Sequence, residues 1–405
     1  MKRNLLASVI AGALLCGGLS TDATADTLLI RNATLVTLEG DTGITNGDLL
    51  ISDGVITAVG QVEQQAADRV IDAQGRYVSA GLFNVGIQLG VEEILIDPLS
   101  IDAATSKPGY GERFSPAKAF NKHSPQIQLN RRNGVTSVEI APTRSGDLIT
   151  GQGGVVRLAD DPQIDDHSSF YLTVGQNSAA AQGGGSRAVV LELVEQRIAS
   201  ADPASPFGAA LRAGKPIIVR ADRSSDIAFL IGLKKRYNAN LAIAGGTESW
   251  MVADALAEAK VPVIFDPILN IAQTYDQLNG RDDTPAVLHR AGVPLVFNGP
   301  SFLKSPNAYM VRQGTGNAVA MGLPWKEAVA AITRNPARLM GVTDRGTLEA
   351  GALADVVIWS GDPLEVSTLA ERVFVGGEEV TKPSRAELLM QRYRDLADPQ
   401  QLPYR

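Results

Sequence analysis

Three ionisable side chains follow short apolar runs in the middle of the chain. Arg220 and Asp222 lie two residues apart in PIIVRADRS, and Glu248 lies in the polar end of LAIAGGTESW. A carboxylate with a raised pKa, Asp222 or Glu248, is a candidate general base, and a fixed guanidinium such as Arg220 holds an oxyanion. The Arg220–Asp222 pair is equally a polar clamp for a carboxylate or amide ligand, or an internal ion pair filling polar space. Histidine offers little: His123 in NKHSPQ, His167 in DDPQIDDHSS and His289 in AVLHRAG read as solvated or structural residues. No Gly-x-Ser-x-Gly elbow supports a serine triad. The stretches GDLITGQGGVVRL and AAQGGGSRAVV lack phosphate-loop and dinucleotide spacing, and Ser186 reads as a helix N-cap. Asp160, Asp161, Asp165 and Asp166 have no calcium-loop spacing and read as a solvated acidic turn.

The elements that must position these residues form an alternating pattern. Between about 79 and 340, LFNVGI, TSVEI, GVVRL, FYLTV, PIIVR, LAIA, PVIF and PLVF read as strands, and helical stretches such as SDIAFLIGLKKRYN lie between several of them. Strands alternating with helices imply parallel pairing through crossovers, and this number points to an α/β fold with a closed (β/α)8 TIM-like barrel. Residues 26–78 are different: short Leu, Ile and Val runs are punctuated by Asn-Gly, Asp-Gly and Gln-Gly, the pattern of hairpins. The same texture returns over 341–382, so the two flanks should complete one small β-sandwich domain into which the barrel is inserted, with a C-terminal helix and tail over 383–405.

The first 25 residues stand apart. Lys2 and Arg3 precede LLASVIAGALLCGGLS and then Ala23-Thr24-Ala25, which describes a secretory signal peptide cleaved after Ala25. The apolar run is short for a span of about 20 residues and is broken by Gly17-Gly18, so no membrane association is expected after cleavage. The only cysteine, Cys16, leaves with it, and a periplasmic or secreted location is expected without any disulfide. A net charge of −7 argues against nucleic acid as a partner.

The wording of several segments resembles the amidohydrolase superfamily, particularly its imidazolonepropionase-like branch. LLISDGVITAVG and VIDAQGRYVSAGLFNVGIQLG resemble the family's leader into the first barrel strand, and EAVAAITRNPARLMGVTDRGTLEAGALADVVIWSGDP is similar to its closing segment. The resemblance implies one or two divalent metals at the C-terminal mouth of the barrel, held by His-x-His on strand one, His on strands five and six, and Asp on strand eight. Here those positions fall on Gly86, Gln88, Arg220, Gly245 and Pro300 (or Gly299, one residue away). Glycine has no ligand atom, an amide is a poor zinc ligand, and a fixed cation repels a metal, so no metal cofactor is expected.

If the fold holds, the mouth is lined by Gln88, Glu92, Arg220, Asp222, Glu248 and Asn298. Two readings follow. In one the protein is a catalytically degenerate binding or partner subunit. It would take a small amide or peptide-like ligand, self-associate, or pair with a metal-bearing relative. In the other it is an active hydrolase of C–N bonds in small cyclic amides or peptides, through a rebuilt site around Arg220, Asp222 and Glu248.

Overall fold

The computed structural model describes residues 26–38, 44–62, 67–268, 272–299 and 307–394. Residues 1–25, expected to be a signal peptide, Pro300 and the residues after 394 lie outside them. The chain begins with β1 (Thr27–Leu35), β2 (Ile44–Ser52) and β3 (Val55–Gly60), each antiparallel to the next. Asp53 and Gly54 turn the β2–β3 hairpin with φ of 49° and 76°, the pair of positive values that a tight primed turn needs. The other two glycine pairs do not make hairpins. Asn46-Gly47 lies inside β2 at an irregularity of the β1–β2 register. Gln74-Gly75 kinks the chain between β4 (Arg69–Asp72) and β5 (Tyr77–Ala80), which follow one another along the same edge of β1, both parallel to it.

A second sheet carries eight strands in chain order: β6 (Leu82–Ile87), β7 (Val135–Ile140), β8 (Ile149–Arg157), β9 (Gln163–Thr173), β10 (Ile217–Ala221), β11 (Leu241–Gly245), β12 (Val263–Phe265) and β13 (Leu295–Phe297). Alternate residues take opposite sides, as the two-residue period requires. Phe83, Val85, Tyr171, Ile218, Ala242, Ile264 and Val296 meet in the lumen. Ile217, Val219, Leu241, Ile243, Val263 and Leu295 pack outward with Ile227, Leu230, Leu256 and Leu288. The sheet is a nearly closed barrel. At the seam between β6 and β13, the backbone N–H groups of Phe83 and Phe297 donate to the carbonyls of Ile332 and Ala331, each at 2.8 Å.

One strand departs from the expected all-parallel pairing. β8 runs antiparallel to both β7 and β9. The chain between β8 and β9 is too short for a crossover helix, so only a hairpin is open to it.

β14 (Val356–Trp359), β15 (Ala370–Val375) and β16 (Glu378–Glu379) return to the first sheet, whose order is β16-β15-β14-β5-β1-β2-β3. The two chain ends thus share one sheet and one core, with Ile30, Leu49, Ile51, Ile56, Val78, Val356, Ile358 and Phe374 buried together. The sheet curls round that core, because Ile56 N–H donates to the Ala352 carbonyl at 2.8 Å.

Several buried contacts weld this sheet to the barrel. The Trp359 indole, held within the first sheet by a 2.8 Å bond to Ser79 Oγ, packs into the barrel's outer core. Gly134, at φ +91°, makes room for that ring, since a Cβ there would lie 2.7 Å from it. Arg157 of β8 pairs with Asp355 at 2.7 Å. The buried Arg312 guanidinium donates to the carbonyls of Pro363, Glu365 and Thr368 at 3.1, 2.7 and 2.6 Å and lies over the Trp359 ring. A helix, Arg385–Tyr393, follows with a capping box between Ser384 and Glu387. Among the described residues no helix is long and apolar enough to cross a membrane.

Candidate functional site

The C-terminal strand ends enclose a cavity of about 360 Å3. Gly86, Arg220, Asp222, Gly245 and Asn298 line it together, joined by Tyr171, Thr247, Asp266, Gln273 and Gln277. Gln88 and Glu92 do not. Gln88 is buried, and its amide donates to the Ala141 carbonyl at 3.2 Å, tying β6 to the end of β7. Glu92 is buried where its backbone bridges to Ile101.

Arg220 and Asp222 share the cavity but form no ion pair with each other. The Arg220 guanidinium donates to the carbonyls of Pro142 and Thr143 at 2.6 and 3.3 Å and lies 5.0 Å from the centre of the Tyr171 ring. Neighbouring residues along a strand point to opposite sides, and Arg220 is only one residue from the end of β10. It therefore reaches sideways over the end of β7. Asp222 lies beyond the strand and turns the other way. It accepts from Thr247 Oγ1 at 2.7 Å, Thr247 N–H at 3.2 Å and Gln277 Nε2 at 3.0 Å.

Glu248 sits behind the cavity wall. Ser224 N–H and Oγ and the Asn279 amide donate to it at 2.9, 3.0 and 2.8 Å. Burial pushes its carboxyl upward, but these donors outweigh burial and its pKa falls below the usual glutamate value. That is the opposite direction from the one a general base at neutral pH requires.

Under the cavity floor lies a carboxylate that was not among the candidates. Glu139 of β7 is wholly buried. It accepts from Ser169 Oγ, Tyr171 Oη and Gly86 N–H, each at 2.8 Å. Burial raises its pKa, opposed by the Tyr171 hydroxyl, the two other donors and the Arg220 charge. Tyr171 is raised well above its ordinary value, first by burial and then by the Glu139 charge, so it remains a neutral phenol. Its proton is directed at Glu139, which leaves the oxygen lone pairs for a ligand N–H. The signal for Glu139 was present: a charged residue inside the apolar strand TSVEI must have partners. Tyr171 in FYLTV gave none.

Three strand ends carry glycine with positive φ, each against a polar neighbour. Gly86 has φ 73°, Gly245 93° and Gly299 127°. A Cβ at Gly245 would lie 2.7 Å from Asp222 Oδ1, one at Gly299 2.7 Å from Asp266 Oδ1, and one at Gly86 3.2 Å from Asn298 Nδ2. Backbone conformation and packing both exclude a side chain at Gly245 and Gly299. Among the described residues no group of three or more His, Cys, Asp and Glu is placed to hold a metal ion.

The segment that carries Gln277 is fastened at several points. Arg187 bridges Asp226 and Asp276, Asp276 also accepts from Gln176 N–H at 2.8 Å, and the Trp250 indole donates to the Asn279 carbonyl at 2.9 Å. Together with the Asp222–Gln277 and Glu248–Asn279 bonds, these hold one wall of the cavity in place.

Residues 309–381 match the Amidohydrolase family. Over 87% of the chain and 97% of the relative, the sequence is 26% identical to an imidazolonepropionase of Rhizobium meliloti. Over 58 residues, 14% of the chain and 13% of the relative, it is 43% identical to a 5'-deoxyadenosine deaminase of Methanosarcina acetivorans. The crystal structure of an amidohydrolase from Thermotoga maritima superposes with a TM-score of 0.78 at 24% identity, covering 88% of this chain and 100% of that one.

Proposed function

We propose that this chain, amidohydrolase-like in both sequence and fold, binds a small amide or peptide-like ligand at its barrel mouth without the metal centre of the family. Its homologues are hydrolases, and the cavity lies at the C-terminal strand ends, where barrels of this kind commonly carry their sites. The observation that carries the reading is the set of strand-end residues at the positions where the family resemblance puts ligands. Gly86 and Gly245 contribute no donor atom, and Asp222 crowds the space a Gly245 side chain would need. Arg220 stands where strand five would supply a histidine, and its cation opposes a divalent ion. The residues present do not fit the metal.

What they do fit is a group with both donors and acceptors. Tyr171 Oη and Asp222 accept, while Asn298 and Gln273 carry amides on the same cavity wall. An amide or cyclic urea-like group presents the complementary set. The leader 1–25 supports export of the protein before it binds that ligand.

A working hydrolase is the second reading, and one observation favours it. The raised Glu139 carboxyl, Tyr171 and Arg220 form a contiguous polar unit under Gly86. There Tyr171 would touch the substrate and Glu139 would position it.

Elemental analysis of purified protein, prepared without chelator and offered zinc and manganese, separates metal-free from metal-dependent chemistry. Well below one ion per chain is expected. One or two tightly held ions would overturn the reading. Turnover of small cyclic amides by the metal-free protein, lost in Tyr171→Phe, would select the second reading over the first.

A further inference from the structure

A second cavity, of about 520 Å3, opens at the other end of the barrel. Asn240, Pro262 and Pro294, each just before β11, β12 or β13, line it. Gly245, Asp266 and Asn298, at the far ends of the same strands, face the mouth. The two cavities therefore lie at opposite ends of three short strands, roughly 10–17 Å apart at about 3.3 Å per residue.

The amides lining this lower cavity are engaged, Asn240 with the Gly214 carbonyl and Asn335 with the Leu295 carbonyl, each at 2.8 Å, but most of its ionisable side chains have no protein partner. Arg334 and Arg338 lie four residues apart on the helix Arg334–Leu339 and so share one face of it. Glu327 comes from the helix Trp325–Ala330 and His289 from the last turn of the helix Thr284–Ala291. Among the described residues, the side chains of Arg338, Glu327 and His289 make no hydrogen bond or ion pair, and the only bond of Arg334 is from Nε to Asn335 Oδ1 at 3.3 Å. Glu327 and Arg334 are half-buried. Charges in that position, facing a shared space without protein partners, are available to pair with a ligand of complementary charge.

Two guanidiniums on one helix face match a carboxylate, whose two oxygens accept parallel N–H bonds. A carboxylate on a second helix at the same cavity then matches an ammonium group on the same molecule. We propose that the lower cavity binds a small amino-acid-like zwitterion, with its carboxylate on Arg334 and Arg338 and its ammonium on Glu327. His289 supplies a further hydrogen bond to the rest of the molecule. This site is independent of the reading of the barrel mouth.

Calorimetric titration of the purified full chain tests it with three probes: L-glutamine, N-acetyl-L-glutamine, which keeps the carboxylate and loses the ammonium, and inorganic phosphate. L-glutamine is expected to bind at least about tenfold more tightly than the acetylated compound, the size of one charge-assisted bond. Glu327→Gln should abolish that difference. Arg338→Gln, at an exposed position that leaves the fold intact, should weaken both by about tenfold or more. Absence of heat with all three probes would overturn the proposal. So would binding unchanged in both Arg338→Gln and Arg334→Gln. Equal affinity for the acetylated and free amino acid, or preference for phosphate, would replace the zwitterion with a bare anion and refute the role of Glu327.

Discussion

Gly245→Ala is the substitution that interrogates the barrel mouth most directly. Gly245 has φ +93°, and the new methyl would lie 2.7 Å from Asp222 Oδ1. Gly351 supplies an internal control, because it has the same φ of +93° with nothing within 4 Å of an added Cβ. Gly351→Ala therefore measures conformational strain alone, about 1–2 kcal/mol for an alanine forced to positive φ. Gly245→Ala adds the displacement of Asp222 from Thr247 Oγ1 and Gln277 Nε2, which it holds at 2.7 and 3.0 Å. Hydrogen bonds to a charged group are each worth about 1.5–3 kcal/mol, and partial relaxation keeps the net near the lower end. The expected total for Gly245→Ala is about 3–5 kcal/mol, some 2–3 kcal/mol more than for Gly351→Ala. Urea unfolding of wild type, both single variants, Asp222→Ala and the Gly245→Ala/Asp222→Ala double variant gives the coupling directly. The double variant should be less destabilised than the sum of its singles. If Gly245→Ala costs no more than Gly351→Ala, or the cycle shows no coupling, Asp222 is not what keeps position 245 bare.

Other expectations follow from the same contacts. Glu139 has a raised pKa in the folded protein, so the fold binds its proton more tightly than the unfolded chain. Its stabilising contribution is therefore fullest below the ordinary glutamate value of about 4.3 and is lost as pH rises through the folded value. Urea midpoints of wild type against Glu139→Gln over an acid-to-neutral series should show wild type losing ground as pH rises. A gap independent of pH would mean that Glu139 does not titrate in that range. Arg312→Met should destabilise by about 3–5 kcal/mol, because the carbonyls of Pro363, Glu365 and Thr368 lose a buried charged donor. Thermal unfolding checks this, and a change under about 1 kcal/mol would show that water replaces the guanidinium.

Much of the scaffold is legible in the sequence. Most barrel strands are where apolar runs of strand length lie, since a strand buried on both faces needs a near-continuous apolar run. β8 and β9 extend beyond theirs, through ITGQGG and the polar QIDDHSS, so Asp165 and Asp166 stand in a strand and not in the expected acidic turn. The hairpin at Asp53-Gly54 follows from turn chemistry that acts locally. Asn46-Gly47 and Gln74-Gly75 mislead for the same reason. The pair specifies a local bend, but whether the chain reverses or merely kinks depends on which strand lies alongside, and β1 decides that. The antiparallel course of β8 leaves no trace in its composition, because a strand buried on both sides has no polar face to betray its direction. In the candidate site, the convergence of Gly86, Arg220, Gly245 and Asn298 on one cavity depends only on each standing at a strand end. The partners of Arg220 and Asp222 depend on which way each side chain leaves the strand, and two residues of spacing do not state that. Glu139 shows in the sequence as a charged residue inside an apolar strand, which calls for partners without stating that they are Gly86 and Tyr171.

The seam of the barrel has a consequence for how the chain can acquire its shape. Neither β6 nor β13 finds its last hydrogen bonds until Ala331 and Ile332 arrive, and Ser79 waits for Trp359 across 280 residues of sequence. A chain emerging from its N-terminus therefore cannot shut either the barrel or the small sheet until nearly all of it is free. Such long-range pairing makes for slow closure and keeps apolar strands uncovered meanwhile. For a chain that threads a narrow channel before folding, that delay is an advantage. For one held in a crowded compartment, it is an interval in which a chaperone would be required.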